Sequence, residues 1–123
     1  MSNSNSDRFE AALAVRREVM GAEYVDKAFV DQSKENLDFQ RFVTETAWGQ
    51  WTDSRLSRRE RSLVTLAILA ALGKGEEFEL HARGAIRNGV TREELDALVL
   101  HIGAYTGAPS GIAARRALKS ALA

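Results

Sequence analysis

The chain has 123 residues, 45% of them apolar, with 17 basic and 17 acidic side chains and no cysteine. That length predicts one domain with a modest core, which oligomerisation would enlarge. The balanced charge argues against a nucleic-acid or membrane-surface role driven by net charge, and the missing cysteines exclude disulfides, thiolate metal sites and thiol redox chemistry.

MSNSNS, residues 1–6, is polar and predicts a flexible start with no apolar leader. A helix is predicted over 7–20, with Gly21 as its stop, and a short one over 24–32. A third, over 34–48, carries Phe39, Phe42, Val43 and Ala47 at helical spacing. Residues 49–56, GQWTDSRL, read as a loop. Ser57 and Glu60 form a capping-box pattern that opens a helix over 58–72. The next helix runs over 76–88 and ends at Gly89. Thr91 and Glu94 repeat the capping-box pattern and open a helix to 105. Gly107-Ala108-Pro109 breaks it, and Ser110 is the expected cap of a last helix to 122. No alternating strand pattern occurs, so the predicted fold is all-α: a single-domain bundle of about six helices over residues 7–123.

The stretch 63–72 is apolar all round but about half the length that spans a bilayer. A helix of that kind has to be covered on every side. Two arrangements do this: a subunit interface, which is the expectation, or a central helix covered by the chain's own neighbours.

One histidine borders an apolar stripe. His81 lies beside Phe78 and Ala85, with Glu77 one turn earlier, Asn88 two turns later, and Glu79 and Arg83 on the opposite polar side. The commoner role of a lone histidine there is structural; its ordinary pKa near 6.5 also suits a proton donor or acceptor. The other histidine, His101, has no metal-ligand spacing to it, so no metal site is expected. Glu45 follows Arg41 by one turn and lies next to Phe42, a setting that suits a carboxyl group to acid–base work; alone it reads as a surface glutamate. Trp48 and Trp51 either wall a pocket or anchor the loop. Arg58, Arg59 and Arg61 crowd one helix start, where arginine suits a carboxylate and most such runs are solvated.

As an ordered set, VRREVMGAEYVDKA (15–28), FQRFVTETAWG (39–49), RSLVTLAILAALGK (61–74), HARGAIRNGVTREEL (81–95) and YTGAP (105–109) resemble the γ-carboxymuconolactone decarboxylase family, from about residue 13 to 117. The wider alkylhydroperoxidase-D-like superfamily has a redox branch with CxxC followed by a histidine four residues later. Counting back from His81 puts those cysteines at Lys74 and Glu77, and the relay glutamate of that branch near Ser62. With all three replaced, the resemblance is to the decarboxylase branch. Two departures bear on specificity: WGQWTDSRL is one residue shorter than the usual WG-x-V-W-x-RPGL loop, and Ile112 stands where asparagine is usual.

The resemblance implies cofactor-independent decarboxylation of a lactone acid in protocatechuate catabolism, in the cytoplasm, by an all-α homo-oligomer (a hexamer, or a trimer or dimer). His81 is the candidate proton donor or oxyanion partner, and Glu45 a second acid–base group or one that orients His81. Arg61 is the first candidate for substrate carboxylates, followed by Arg16 and Arg83, with Trp48 and Tyr105 as walls. Two other readings compete: a decarboxylase for a different lactone acid, and a non-catalytic oligomeric binding protein. A helix-turn-helix DNA binder is disfavoured by neutral charge and by Glu76, Glu77 and Glu79 at one helix start.

Overall fold

The computed structural model describes residues 4–123, which form α1 (Ser4–Met20), α2 (Ala22–Ala28), α3 (Lys34–Val43), a π-helical turn (Thr44–Trp48), α4 (Arg58–Ala71), α5 (Gly75–Arg87), α6 (Arg92–Thr106) and α7 (Ala108–Ala121). Among the described residues there is no strand, as the sequence predicts, and no helix is long and apolar enough to cross a membrane. The flexible start expected for residues 1–6 lies partly outside the described residues; Ser4 already belongs to α1.

Two compact units divide the chain, Met1–Leu56 and Ser57–Ala123. In the first, Ala12, Val15 and Val19 of α1 bury against Trp48 and Trp51, with Met20 and Val43 at the margin. The predicted 34–48 helix is interrupted here. The Thr44 and Thr46 hydroxyls donate to the carbonyls of Gln40 and Phe42 four residues back, both at 2.7 Å. Such back-bonding bends a helix, and the chain widens into the π turn that carries Glu45 and Trp48. No residue of α3 is buried, and Phe39 and Phe42 are exposed. Their spacing marks a helix but not a core face.

In the second unit, Leu66, Phe78, Ala82, Ala85, Val90, Leu95, Val99, Ile102 and the α7 residues Ala114, Ala117, Leu118 and Ala121 form the core. Both capping boxes form: Ser57 Oγ accepts from Glu60 N at 3.0 Å and Thr91 Oγ1 from Glu94 N at 3.1 Å, with each glutamate accepting in return. Arg59 of α4 ion-pairs with Glu94, so the cap of α6 also ties two helices together. The α6–α7 break falls at Gly107, whose φ of 101° suits glycine. Pro109 sits inside the first turn of α7, where no N–H is needed. Helix α7 therefore begins at Ala108, ahead of the expected Ser110 cap. Helices α6 and α7 cross where Gly103 meets Gly111: a Cβ on Gly111 would lie 2.9 Å from Gly103 Cα.

Candidate active site

Helix α5 sets the environment of His81. Its first turn is acidic, with Glu76 and Glu77 at the positive end of the helix dipole. Phe78, Ala82 and Ala85 bury one face, and His81 stands at its border. The ring is partly buried and its Nδ1 atom is fully covered. Burial pushes its pKa down to about 4, against a smaller upward pull from Glu77. The imidazole is therefore neutral at physiological pH.

One turn past the core face, Asn88 Nδ2 donates to Ser62 Oγ at 2.9 Å, and Ser62 is fully buried on α4. Helical spacing places Asn88 two turns after the candidate histidine, whereas Ser62 enters the sequence reading only as the position of the redox branch's relay glutamate. Ser62 precedes the apolar run 63–72, and a hydroxyl at the edge of such a run needs a partner when buried. That need is the signal a reader can extract. Arg61, beside it, is partly buried with its Nε covered.

The remaining candidates of this unit face outward. Arg83 lies 3.9 Å from Glu79 as an i, i+4 pair, the arrangement expected from their spacing. Glu79 also accepts from the Ser120 hydroxyl at 2.7 Å. Tyr105 is 80% exposed, with its ring tilted against His101 at 4.7 Å. Among the described residues, no group of three His, Asp or Glu is placed to hold a metal ion.

The first unit holds Arg16, Glu45 and Trp48. Glu45, on the π turn, accepts from Arg41 Nη1 at 2.9 Å. Arg41 in turn lies over the Phe9 ring at 4.5 Å. Glu45 lines a cavity of about 390 Å³ together with Arg8, Ala11, Gly49, Gln50 and Thr52. Trp48 is 5% exposed and its ring centroid is 4.9 Å from that of Trp51, so the pair anchors the 49–56 loop on α1. That loop is further tied by Thr52 donating to Gly49 O at 2.7 Å and by the Arg55–Asp53 pair. Arg16 is buried, and its guanidinium donates to Thr44 Oγ1 and Gln40 Oε1, both at 2.9 Å. Gln40 and Thr44 are four residues apart on one helix face, a spacing visible in the sequence but without meaning until α1 is laid beside it.

Residues 38–120 match the profile of the carboxymuconolactone decarboxylase family. The chain is 41% identical, over 112 residues, to the 4-carboxymuconolactone decarboxylase of Acinetobacter baylyi, an alignment covering 90% of this chain and 84% of the relative. It is also 41% identical, over 107 residues, to a nitrosuccinic acid decarboxylase of Metarhizium robertsii, covering 86% of this chain and 75% of that protein. The chain belongs to the carboxymuconolactone decarboxylase family.

Proposed function

Proceeding from that membership, we propose that the protein is a cofactor-independent carboxy-lyase that converts 4-carboxymuconolactone to the enol-lactone of β-ketoadipate in protocatechuate catabolism. The observation that carries this reading is the 41% identity across 90% of the chain. The substrate is an unsaturated lactone with a carboxylate on the ring carbon γ to the carbonyl, plus an acetate arm. Loss of CO2 sends the bonding pair through the ring alkene into the lactone carbonyl, giving a dienolate. Transfer of a solvent-derived proton to the carbon α to that carbonyl completes the reaction. The lactone is its own electron sink, so the chemistry asks for no pyridoxal, thiamine or metal.

His81 serves this sequence as a neutral imidazole. With its pKa near 4, little imidazolium is present at neutral pH. A neutral ring still donates one N–H, and a pre-set donor in a dry site stabilises charge that develops on an oxygen. His81 is accordingly the partner of the dienolate oxygen, and its proton affinity rises as that oxygen becomes anionic. Arg61, partly buried beside the Ser62–Asn88 pair, supplies positive charge for a carboxylate. Glu45 on the rim of its cavity is the second acid–base candidate.

A second reading has its own support. The fungal relative is named for nitrosuccinic acid and matches this chain at the same 41%. Nitrosuccinic acid is also a dicarboxylic acid, and its nitro group accepts the electron pair that the lactone carbonyl accepts above. The shared demand is a dicarboxylate that carries its own electron sink, and this is the substrate class we assign. We also propose a cytoplasmic homo-oligomer.

The test is CO2 release from each acid by purified protein, with chelator and no added cofactor, alongside His81→Ala. Turnover of the lactone, lost on the order of 100-fold in a folded His81→Ala variant, is expected from removing one oxyanion donor. Turnover of nitrosuccinate alone transfers the assignment to the second reading. Turnover of neither acid removes both. Near-normal turnover by the variant removes His81 from the chemistry.

A further inference from the structure

Helices α6 and α7 approach most closely at Gly103 and Gly111, where a Cβ on either residue would fall within 3.5 Å of the other's Cα. Beyond that contact the two helices line a cavity of about 390 Å³. Small-molecule sites occupy roughly 300–1,000 Å³, so the space suits a small ligand. The lining residues keep the register set by the glycines. Val99 and Arg115 each stand four positions from the glycine pair, and Asp96 and Leu118 each stand seven. Every lining residue comes from α6 or α7, within the second compact unit, and none is a candidate catalytic residue.

The cavity joins an apolar floor to a cationic rim. Val99 and Leu118 belong to the core and are 8% and 2% exposed, and Leu100 extends the apolar surface outward. Arg92, Arg115 and Lys119 face a single carboxylate, Asp96, which lies 3.6 Å from Arg92 Nε in an i, i+4 pair. Arg115 and Lys119 have no hydrogen-bond or ion-pair partner among the described residues. They too are four positions apart on one helix, and like charges at that spacing destabilise it. The negative end of the helix dipole favours Lys119, in the last turn of α7. Arg115, in the middle of that helix, lacks this compensation. An anion held between the two relieves their repulsion, and the planar guanidinium fork of Arg115 matches a carboxylate.

We propose that the α6–α7 cavity binds an organic carboxylate with an apolar body, such as an aromatic acid. The carboxylate lies between Arg115 and Lys119, and the body covers Val99 and Leu118. The inference goes beyond the proposed function and does not rest on it. Each half of the ligand answers one half of the cavity. A small anion without a body leaves the floor wet, and a neutral aromatic leaves the two cations unpaired.

Benzoate is the probe, titrated into the unaltered protein while the methyl NMR signals of Val99, Leu100 and Leu118 and the ring signals of His81 are followed. Saturable shifts of Val99 and Leu118, with His81 unmoved, are expected. Acetate and benzyl alcohol each keep only one half of the ligand and should bind about 10-fold more weakly. The double variant Arg115→Gln, Lys119→Gln should lose affinity for benzoate on the order of 10-fold, with circular dichroism and thermal melts checking its fold. Four results each overturn the proposal: no saturation, shifts confined to His81, acetate binding as tightly as benzoate, and unchanged affinity in the folded double variant. If the double variant does not fold, Arg115→Gln alone and the titration of the unaltered protein decide. If the protein turns over no lactone, the proposed function fails while this titration still reports on the α6–α7 cavity.

Discussion

Desolvation of His81 has a consequence that reaches beyond the reaction. In the unfolded chain its imidazole titrates at the ordinary 6.5, and in the folded chain at about 4. Between those values the unfolded state holds more protons, so folding stability rises with pH there. The contribution is complete above pH 6.5 and is lost as pH falls through 4. A displacement of that size is worth about 3 kcal/mol in total. Urea midpoints at pH 7.5 and 4.5 measure it: the native protein should lose stability more steeply than His81→Gln over this interval. Equal losses in the two proteins would place the burial penalty elsewhere. The same displacement puts any acid limb in kcat/KM that belongs to His81 near pH 4 rather than 6.5. Helical spacing marks His81 as a border residue, but the depth of its burial depends on how α5 packs, which spacing does not encode. Arg16 was less legible still. Its neutral surroundings arise from residues 13 to 28 positions away in the chain.

At the scale of elements, the α6–α7 crossing offers a sharp contrast between two glycines. A Cβ on Gly111 would lie 2.9 Å from Gly103 Cα, and backbone cannot swing aside as a flexible side chain does. Gly111→Ala should force the helices apart and cost about 1–3 kcal/mol, the usual range for overpacking, despite alanine's better helix propensity. A Cβ on Gly103 meets Gly111 Cα at 3.5 Å, an ordinary contact. Gly103→Ala should therefore gain most of about 1 kcal/mol from propensity. Thermal denaturation of the two variants decides, and equal shifts would mean the crossing is loose. The elements themselves were largely written in local chemistry. Ser57, Thr91, Gly21 and Gly89 mark helix ends because caps and left-handed turns are satisfied within a few residues. The π turn was not legible, because the back-bonding of Thr44 and Thr46 competes with a regular helix only once Trp48 is held in the α1 core. Ser110 misled for a related reason: it has a good capping side chain, but Gly107 had already redirected the backbone and Pro109 fits the first turn.

For the whole molecule, the all-round apolar stretch of α4 carries the last prediction. Leu66 faces the core at 0% exposure, whereas Val64, Ile68 and Leu72 are 51%, 52% and 65% exposed. These three are spaced by four residues and so line one side of the helix. Covering what remains open on each is worth about 1 kcal/mol. Their sum is well short of the roughly 8 kcal/mol behind a micromolar association. A stable homo-oligomer therefore needs more apolar area than this stripe, and Leu100 at 76% and Ile112 at 57% are other exposed apolar residues of the same unit. Even so, a single charge in the stripe should be decisive, because an unpaired carboxylate buried in an interface costs several kcal/mol. Sedimentation velocity at micromolar concentration should show the native protein as an oligomer and Ile68→Asp as a smaller species with unchanged helical circular dichroism. Leu66→Asp, in contrast, should lose the fold itself. If native protein sediments as a monomer, the α4 stripe is not a self-association surface, and its exposure needs an occupant other than a second copy.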